Sequence, residues 1–461
     1  MPESEGGFDA IVGNPPYVRQ ESLSAIKGYL QSHYESFDGI ADLYAYFMER
    51  SLRLLKTGGL FSYVVSSSFL RATYGEPLRR YLKKVGIVRR LVDFGGLPVF
   101  ANAKDTYVCI PVIAKGSTSK PPRIEICKIP SLEIQNLTSY AAENSFSIPA
   151  ERFSSTAWAL KSDAEAAVFE KIMQAGRPLG EYVERKFFRG VTTGFNDAFV
   201  IDGRTRKKLI SRHKRSAELI KPLLGGEDVR RYAFLQKDQW LIFPRRGVGI
   251  QKYPAILQHL TQWKADLTPK RTGKEKSGRK PGRYEWYEIQ DDVAYFEIFD
   301  SPKIIYPDIA KGPRFCLDTE NHYLANTAYC LGTGSLYLLG LLNSRLFWFA
   351  ISNISIPFGI RAGEYRYRLI YQYMEKIPIR PVDLTQPADN ARHDRMVALV
   401  EQMLAAKKQL AAAQTDKDKD FYTNRCDGLD RQIDALVYDL YGLTDTEIRI
   451  VENIDSSTCR G

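Results

Sequence analysis

The sequence predicts an α/β protein: a partial doubly wound, Rossmann-like sheet, then an α+β region and a C-terminal helical region. From residue 1 to about 115, apolar runs of strand length alternate with amphipathic helical segments, an order typical of a mostly parallel sheet. Residues from about 180 to 381 are rich in aromatic, glycine and basic residues. From residue 391 apolar residues recur at helical spacing. We therefore expect domains at residues 1–140, 141–390 and 391–461.

The elements of the first region follow from residue type and spacing. Asp42 should open an amphipathic helix, and Gly58-Gly59 is typical of a helix C-terminus. A second helix is expected to end near Lys84. The last two strands are close together and could form an antiparallel edge. Strands are predicted at Phe8–Val12, Leu60–Val65, Val88–Phe94 and Tyr107–Ala114.

Composition limits the classes of function. The 461 residues contain 65 Lys and Arg against 54 Asp and Glu, a net charge of +11 that favours a polyanionic partner. The six cysteines form no Cys-x-x-Cys pair and the five histidines do not cluster, so we expect no metal site and a reducing compartment, the cytoplasm. The most apolar run, Leu336–Ile351, is too short for a bilayer and contains Asn343, which predicts a buried helix and no membrane association.

The most informative stretch is Asn14-Pro15-Pro16-Tyr17, which directly follows the apolar strand Phe8–Val12 and Gly13. An α/β enzyme places its chemistry at a strand end. The amino nitrogen of adenine is a poor nucleophile, and two acceptors aimed at its hydrogens free its lone pair. The Asn14 side-chain oxygen and the Pro15 carbonyl could be these acceptors, on a loop that the prolines stiffen. Tyr17 offers a flat face for the base.

The tetrad alone predicts methylation of an amino nitrogen, on DNA, RNA or a protein amide. A strand-to-helix turn that happens to contain two prolines is the alternative without chemistry. Methylation at a cytosine carbon would need a nucleophilic cysteine, and none lies near the motif.

Several segments together resemble one family: type II restriction-modification N(6)-adenine DNA methyltransferases with a TaqI-like C-terminal specificity domain. The resemblance covers nearly the whole chain. Its segments are "DLYAYFMERSLRLLKTGGLFSYVVSSSFL" (Asp42–Leu70), "PVFANAKDTYVCIPVIAK" (Pro98–Lys115), "FFRGVTTGFNDAFVID" (Phe187–Asp202), "YLLGLLNSRLFWFAI" (Tyr337–Ile351), "YMEKIPIRP" (Tyr373–Pro381) and "IDALVYDLYGLTDTEIRIVE" (Ile433–Glu452).

The resemblance implies a site-specific enzyme that binds double-stranded DNA. It would flip a target adenine out of the duplex and methylate its amino group from S-adenosyl-L-methionine, as part of a restriction-modification system. It makes Asn14, Pro15, Pro16 and Tyr17 the catalytic loop. It also assigns Phe100 to stacking on the flipped base together with Tyr17. A core position is the alternative for Phe100, because apolar residues precede it.

The sequence differs from the family pattern in the residues that bind the cofactor. Family members bind S-adenosylmethionine at a Gly-rich turn and an acidic residue on the order of a hundred residues before the tetrad, and only thirteen residues precede Asn14. Of the cofactor-binding residues, only Asn14 carries over. We therefore expect the C-terminal part of such an enzyme, with a separate polypeptide as one source of the cofactor-binding half. A remnant that binds DNA without cofactor is the competing hypothesis.

A basic segment in the middle region is the candidate for DNA phosphate contacts. Glu275 is its one acid, and its glycines indicate a loop. A solvated surface is the alternative. The candidate residues are Lys270, Arg271, Lys274, Lys276, Arg279, Lys280 and Arg283.

Overall fold

A computed structural model describes residues 6–100, 107–116, 123–153, 155, 158, 160–272, 275–355, 357–361 and 364–456. The chain divides into two compact units. The first comprises Met1–Glu170, Ile356–Arg366 and Glu452–Gly461, and the second comprises Lys171–Ser355 and Tyr367–Val451. The first unit thus extends past the boundary expected at residue 140, and most of the C-terminal helical region belongs to the second unit.

The α/β class is confirmed in the first part of the chain. Its strands are β1 (Phe8–Gly13), β2 (Leu55–Tyr63), β3 (Val65–Ser66), β4 (Gly86–Asp93), β5 (Val108–Lys115), β6 (Arg123–Lys128) and β7 (Phe146–Pro149). Its helices are α1 (Lys27–His33), α2 (Tyr44–Leu54), α3 (Glu76–Val85), α4 (Leu137–Asn144) and α5 (Asp163–Ala175), with short 3₁₀ helices at Gln20–Ile26, Ser67–Leu70, Thr73–Gly75 and Ala150–Arg152.

The strands form one mixed sheet in the order β1-β2-β5-β4-β6-β7, with β3 paired to β5. β1 is parallel to β2, and β4 is parallel to β6. β5 lies between β2 and β4 and is antiparallel to both. The expectation of a mostly parallel sheet is therefore wrong, because the reversed strand lies inside the sheet and not at its edge. No signal within a single strand distinguishes the two directions.

Helices cover both faces of this sheet. Leu52 of α2 and Leu82 of α3 pack with Phe61 of β2 in the main core on one face. On the other face, Ala141 of α4 packs with Val92 of β4 in a smaller cluster. Helices on both faces of the sheet are characteristic of a doubly wound fold.

Gly58 and Gly59 lie inside β2 and do not end α2, which is a second correction. Leu55 leaves the helix in an extended conformation and already begins the strand. Gly58 has a φ of +82°, and a Cβ on Gly59 would lie 2.7 Å from the Phe8 carbonyl oxygen. The two glycines therefore allow the register shift at which β1 approaches β2, between Phe8 and Ala10.

The rest of the chain combines short strands with helices. The strands are β8 (Arg177–Pro178), β9 (Phe187–Arg189), β10 (Val200–Asp202), β11 (Ile220–Leu224), β12 (Val229–Arg230), β13 (Ala233–Phe234), β14 (Gln239–Ile242), β15 (Lys303–Pro307), β16 (Ile309–Ala310), β17 (Cys316–Asp318), β18 (Tyr323–Leu324), β19 (Ala328–Leu331), β20 (Pro357–Arg361), β21 (Glu364–Arg368) and β22 (Pro378–Ile379). The helices are α6 (Leu179–Tyr182), α7 (Asn196–Phe199), α8 (Gly203–Arg212), α9 (Ser216–Leu219), α10 (Pro254–Thr261), α11 (Lys264–Leu267), α12 (Leu336–Leu342), α13 (Arg345–Ile354), α14 (Tyr371–Met374), α15 (Pro387–Ala412), α16 (Asp416–Leu440) and α17 (Asp445–Ser456), with 3₁₀ helices at Ile250–Lys252 and Phe296–Asp300.

The apolar run Leu336–Ile351 is buried as expected but forms two helices, α12 and α13. Ser344 caps α13 by accepting a hydrogen bond from the Phe347 N–H at 3.3 Å. Asn343 bonds through both ends of its side chain to the backbone of Phe315, at 3.1 and 2.9 Å. Across the described ranges of the chain, no helix has the length and apolarity to cross a membrane.

α15 and α16 pack within the second unit rather than apart from it. A Cβ on Gly340 of α12 would lie 2.5 Å from the Met396 sulfur of α15, so these helices approach closely. Val400 of α15 and Ile433 of α16 are fully buried. The apolar residues at helical spacing therefore build a core, as the sequence predicts.

Candidate functional site

The tetrad forms a loop that is held against the end of β2. The Val64 N–H donates to the Gly13 carbonyl oxygen at 3.0 Å, and the Tyr17 hydroxyl donates to the Val64 carbonyl oxygen at 3.0 Å. Two contacts to one residue thus fix both ends of Asn14–Tyr17. Pro15 is buried, while Asn14 is exposed. The loop is anchored, and its amide side chain is accessible to a ligand.

Tyr17 is half-buried, and its environment fixes its protonation. Burial raises the pKa of Tyr17 to about 12, with a smaller effect from the neighbouring Cys109. The phenol is therefore neutral at physiological pH and remains a hydrogen-bond donor to Val64. The hydroxyl of Tyr17 therefore anchors the loop.

Phe100 lies against Tyr17, so the structure brings these two candidate residues together. The ring centroids are 5.4 Å apart and the planes are inclined by 70°, an edge-to-face contact. A base held between two parallel rings needs about 7 Å, twice the optimal carbon–carbon separation of ~3.5 Å. The rings in this arrangement contact one another, so a sandwiched base requires Phe100 to move.

A turn after β4 brings Phe100 to this position. The Asp93 carboxylate accepts the Gly95 N–H at 3.0 Å, and Gly95 has a φ of +53°, where a glycine is favoured. The Leu97 N–H then donates to the Phe94 carbonyl oxygen at 3.0 Å. The chain folds back on itself within these few residues.

Sequence reasoning missed a cavity in the same unit, beside the ends of β3 and β4. Its volume is about 180 Å³, and its polar lining includes Ser67, Ser68, Arg71 and Asp93. Burial raises the pKa of Asp93 above its usual range. Asp93 ends β4, and Ser67 and Ser68 are the first two residues after β3; this position at strand ends is the signal that could have identified them.

Most of the basic side chains in this segment are exposed to solvent, and one, Arg279, is buried. Arg271, Lys276, Lys280 and Arg283 are exposed, Lys270 is partly buried, and Lys274 lies outside the described residues. The Glu275 carboxylate accepts the N–H groups of Arg271 and Thr272, both at 3.0 Å. These bonds, above all the one from Thr272, lower the pKa of Glu275 to about 2, so its carboxylate stays ionised.

Arg279 does not belong with the phosphate-contact candidates. It is 3 % exposed, and its guanidinium donates to the carbonyl oxygens of Leu267, Thr193 and Trp286 at 2.7, 2.8 and 3.0 Å. Burial lowers its pKa to about 10. Its donors are directed into the fold, so the expectation of a DNA contact is corrected for this residue.

The described residues do not complete a site for S-adenosylmethionine. That molecule needs groups for its ammonium, its carboxylate and its ribose hydroxyls. Gly95-Gly96 is a glycine turn at a strand end. Its Gly95 N–H already donates to the Asp93 carboxylate, and the Tyr365 hydroxyl would lie 3.4 Å from a Cβ on Gly95, so both positions beside Gly95 are already taken. The Asn14 side chain can accept a hydrogen bond from an amino group, but it cannot by itself bind the carboxylate and the ribose hydroxyls of the cofactor as well. Among described residues, no group of three His, Cys, Asp or Glu side chains could hold a metal ion.

Comparisons with known proteins match the first part and the middle part of the chain to two different families. Residues 2–100 match the Eco57I restriction-modification methylase family, and residues 221–379 match the TaqI-like C-terminal specificity domain. The chain is 24% identical over 502 aligned positions to the type II restriction enzyme and methyltransferase RM.Eco57I of Escherichia coli, across 97% of this chain and 48% of that protein. It is 26% identical to the type II methyltransferase M.PaeR7I of Pseudomonas aeruginosa, across 83% and 66%.

One solved structure shares the fold. The type IIL restriction-modification enzyme MmeI, in complex with DNA, matches with a TM-score of 0.58 and 13% identity, across 97% of this chain and 56% of that chain. The chain therefore combines a region similar to restriction-modification methylases with a region similar to TaqI-like specificity domains. It spans about half the length of RM.Eco57I.

Proposed function

We propose that the chain is the target-base and DNA-recognition part of a site-specific DNA methyltransferase that modifies the amino group of adenine. The observation that carries this proposal is the loop after β1. Asn14 is exposed there on an anchored turn, and the Tyr17–Phe100 pair lies beside it. An amide acceptor next to aromatic rings suits a flipped purine.

In this proposal the residues of the chain prepare the amino nitrogen. The Asn14 side-chain oxygen and the Pro15 carbonyl oxygen accept its two hydrogens, so its lone pair is less delocalised into the ring. The acceptors are in place before the reaction, which avoids the cost of reorganising them. S-adenosylmethionine supplies an electrophilic methyl group when it is bound by the complete enzyme.

The aromatic pair holds the flipped base. The Tyr17 hydroxyl is hydrogen-bonded to the Val64 carbonyl oxygen, so the Tyr17 ring stays in place and the Phe100 ring moves to admit the base. Phe100 follows a turn on a loop, where a rotation is easier than in a strand. Stacking on both rings offsets the cost of taking a base out of the duplex.

Methylation of cellular DNA tests the proposed activity. The complete enzyme that contains this chain is expressed in cells, and methylated bases are mapped by sequencing. We expect N6-methyladenine at one defined sequence in the expressing cells, and none at that sequence in cells with an empty vector. Methylation of cytosine would contradict the adenine assignment. DNA binding without methylation would favour the competing hypothesis, a specificity module without catalysis.

The exposed basic residues of the loop, together with the partly buried Lys270, are proposed to contact DNA phosphates. We expect the joint replacement of Lys270, Arg271, Lys276, Lys280 and Arg283 by glutamine to weaken binding equally at all sequences. The slope of log K against log salt should become shallower by about 0.9 for each phosphate that the variant no longer neutralises. Fluorescence anisotropy over a salt series measures both effects.

Arg279→Gln is the internal control for this prediction. It leaves buried carbonyl oxygens without their donor, so it should lower the free energy of unfolding by about 1–3 kcal/mol and leave the salt slope unchanged. A change in specificity at a single base position in the loop variant would instead indicate base contacts.

A further inference from the structure

The polar cavity at the ends of β3 and β4 has no role in the proposed reaction so far. We call it the β4 cavity, after the strand that Asp93 ends, and its volume is about 180 Å³. Sites for drug-sized ligands measure about 300–1,000 Å³, so this cavity suits a single small ring. Its lining combines opposite charges, a hydroxyl group and aromatic rings, supplied by Ser67, Arg71, Asp93, Tyr107 and Tyr365.

The strand directions place the β4 cavity at the same edge of the sheet as Asn14. β1 is parallel to β2, and β5 is antiparallel to both β2 and β4, so the carboxyl ends of β1, β2 and β4 meet at one edge. In the order β1-β2-β5-β4, the outer two strands are three spacings apart, about 14 Å. The grooves of a DNA duplex are about 6 and 12 Å wide, so two bases of one duplex can reach these two positions.

Two hydrogen-bond donors that line the cavity have no acceptor among the described residues. The Arg71 guanidinium and the Ser67 hydroxyl form no hydrogen bond or ion pair with any residue that the structure describes, although both side chains are partly buried. A partly buried guanidinium without an acceptor has lost part of its hydration and gained nothing in return. These donors therefore mark a place for the oxygen atoms of a ligand.

Asp93 supplies an acceptor to the same cavity. Its Oδ1 accepts the Gly95 N–H at 3.0 Å, and its Oδ2 has no bond to a described residue. Burial raises the pKa of Asp93, and the charges of Arg71 and Lys128 oppose this effect and favour the ionised, accepting form. Within the described ranges Arg71 and Asp93 do not pair with each other, so both remain available to one ligand.

Two tyrosines add aromatic surface to the cavity. The rings of Tyr107 and Tyr365 stack with their centroids 5.6 Å apart and their planes inclined by 28°. Both residues belong to the first unit and both line the cavity. An aromatic surface stabilises a stacked base, whereas a phosphate would gain nothing from it and would be repelled by the Asp93 carboxylate. The ligand that fits is a nucleobase with donors and acceptors along one edge.

We propose that the β4 cavity binds the thymine that loses its partner when the target adenine leaves the duplex. This inference rests on the proposed function. Thymine presents one N–H between two carbonyl groups. Asp93 accepts this N–H, and Arg71 and Ser67 donate to the carbonyl oxygens.

Binding of the thymine assists the extrusion of the adenine. Extrusion leaves the hydrogen-bonding groups of the partner base unpaired, and a second site for that base offsets part of the cost and opposes re-pairing. The same groups select against cytosine, which has an acceptor nitrogen where thymine has its N–H. That nitrogen would face the Asp93 carboxylate.

Ligand-observed NMR on the 461-residue chain tests the cavity without any methylation. Thymidine is the probe, and we expect saturable binding with a Kd on the order of 1 mM, because a lone nucleoside makes few contacts. N3-methylthymidine lacks the N–H and should bind at least about 10-fold more weakly, and Arg71→Ala should weaken thymidine binding by a similar factor. Arg50→Ala is the matched control: Arg50 is exposed on α2, and this variant should bind thymidine as the unchanged chain does.

Methylation by the complete enzyme tests the role in base extrusion. Two duplexes carry the methylated sequence, one with thymine and one with an abasic site opposite the target adenine. Arg71→Ala should lower the single-turnover rate at least about 10-fold on the first duplex and change it less than twofold on the second, which has no thymine to bind. Equal losses on both duplexes would mean that Arg71 is a structural residue, which contradicts the inference.

The remaining outcomes of the NMR experiment also overturn the inference. Absence of saturable binding, or equal affinity for thymidine and N3-methylthymidine, means that Asp93 does not accept the thymine N–H. Tighter binding of deoxyguanosine assigns the cavity to guanine, and displacement of thymidine by S-adenosylmethionine assigns it to the cofactor. The proposed function fails separately: thymidine binding that depends on Arg71, in an enzyme that methylates no adenine, keeps the thymine site and removes the activity.

Discussion

Asn14→Ala is expected to lower the rate of adenine methylation by the complete enzyme by at least about 100-fold, because it removes one of two acceptors that prepare the amino nitrogen. Affinity for DNA should stay within about twofold. Asn14 is exposed, and the loop is fixed by Gly13, Tyr17 and Val64, so its fold does not depend on this side chain. Single-turnover methylation and fluorescence anisotropy measure the two quantities.

Two further variants sharpen this experiment. Asn14→Asp keeps an acceptor oxygen at the same position and should be at least about 10-fold more active than Asn14→Ala. Asn144→Ala removes an exposed asparagine of the same unit outside the loop and should leave the rate unchanged. If DNA affinity fell in parallel with the rate in Asn14→Ala, the residue would be a binding contact and not an acceptor in the reaction.

Lys303→Ala is expected to cause the largest decrease in stability, about 3–5 kcal/mol in the free energy of unfolding, because it removes the ammonium that pairs with a buried carboxylate. Lys303 and Asp318 are both fully buried, with the ammonium 2.6 Å from Asp318 Oδ2 and 2.7 Å from the Phe299 carbonyl oxygen. Urea unfolding measures the change. Lys419→Ala breaks an exposed pair with Asp416 and should cost less than about 1 kcal/mol.

The same pair predicts a dependence on pH. Burial alone would raise the pKa of Asp318, but its hydrogen bond to His322 and the charge of Lys303 outweigh burial and hold the pKa below its usual value. A lowered pKa in the folded state stabilises the protein above the pKa of the unfolded carboxyl, about 4. This part of the stability should disappear as the pH falls below that value, and Asp318→Asn should reduce the acid-dependent destabilisation. An unchanged acid transition in that variant would contradict the assignment.

Local sequence was enough for several parts of the fold. The apolar strand before Asn14, the helix that ends at Val85, and the burial of the apolar run of residues 336–351 follow from patterns within single segments, although that run forms two helices and not one. The placement of the tetrad at a strand end also follows, because Gly13 and two prolines directly end β1. A resemblance across several segments was needed to relate Phe100 to Tyr17, since no periodicity connects them.

Other features depend on partners that are distant in sequence. The direction of β5 is decided by its pairing with β2 and β4, and the role of Gly58 and Gly59 by the approach of β1. Arg279 has the same charge as its neighbours, but the carbonyl oxygens of Thr193 and Leu267 surround it. Sequence composition counts charges, and it does not show which of them a fold encloses.

The sequence by itself indicated the family resemblance, the α/β class and the strand-end position of the loop Asn14–Tyr17, because a motif and a hydrophobic period are contained within single segments of the chain. The tertiary structure alone decided the edge-to-face geometry of Tyr17 and Phe100, the burial of Arg279 and the exposure of Val12. Contact and exposure depend on what packs against a side chain from elsewhere in the chain.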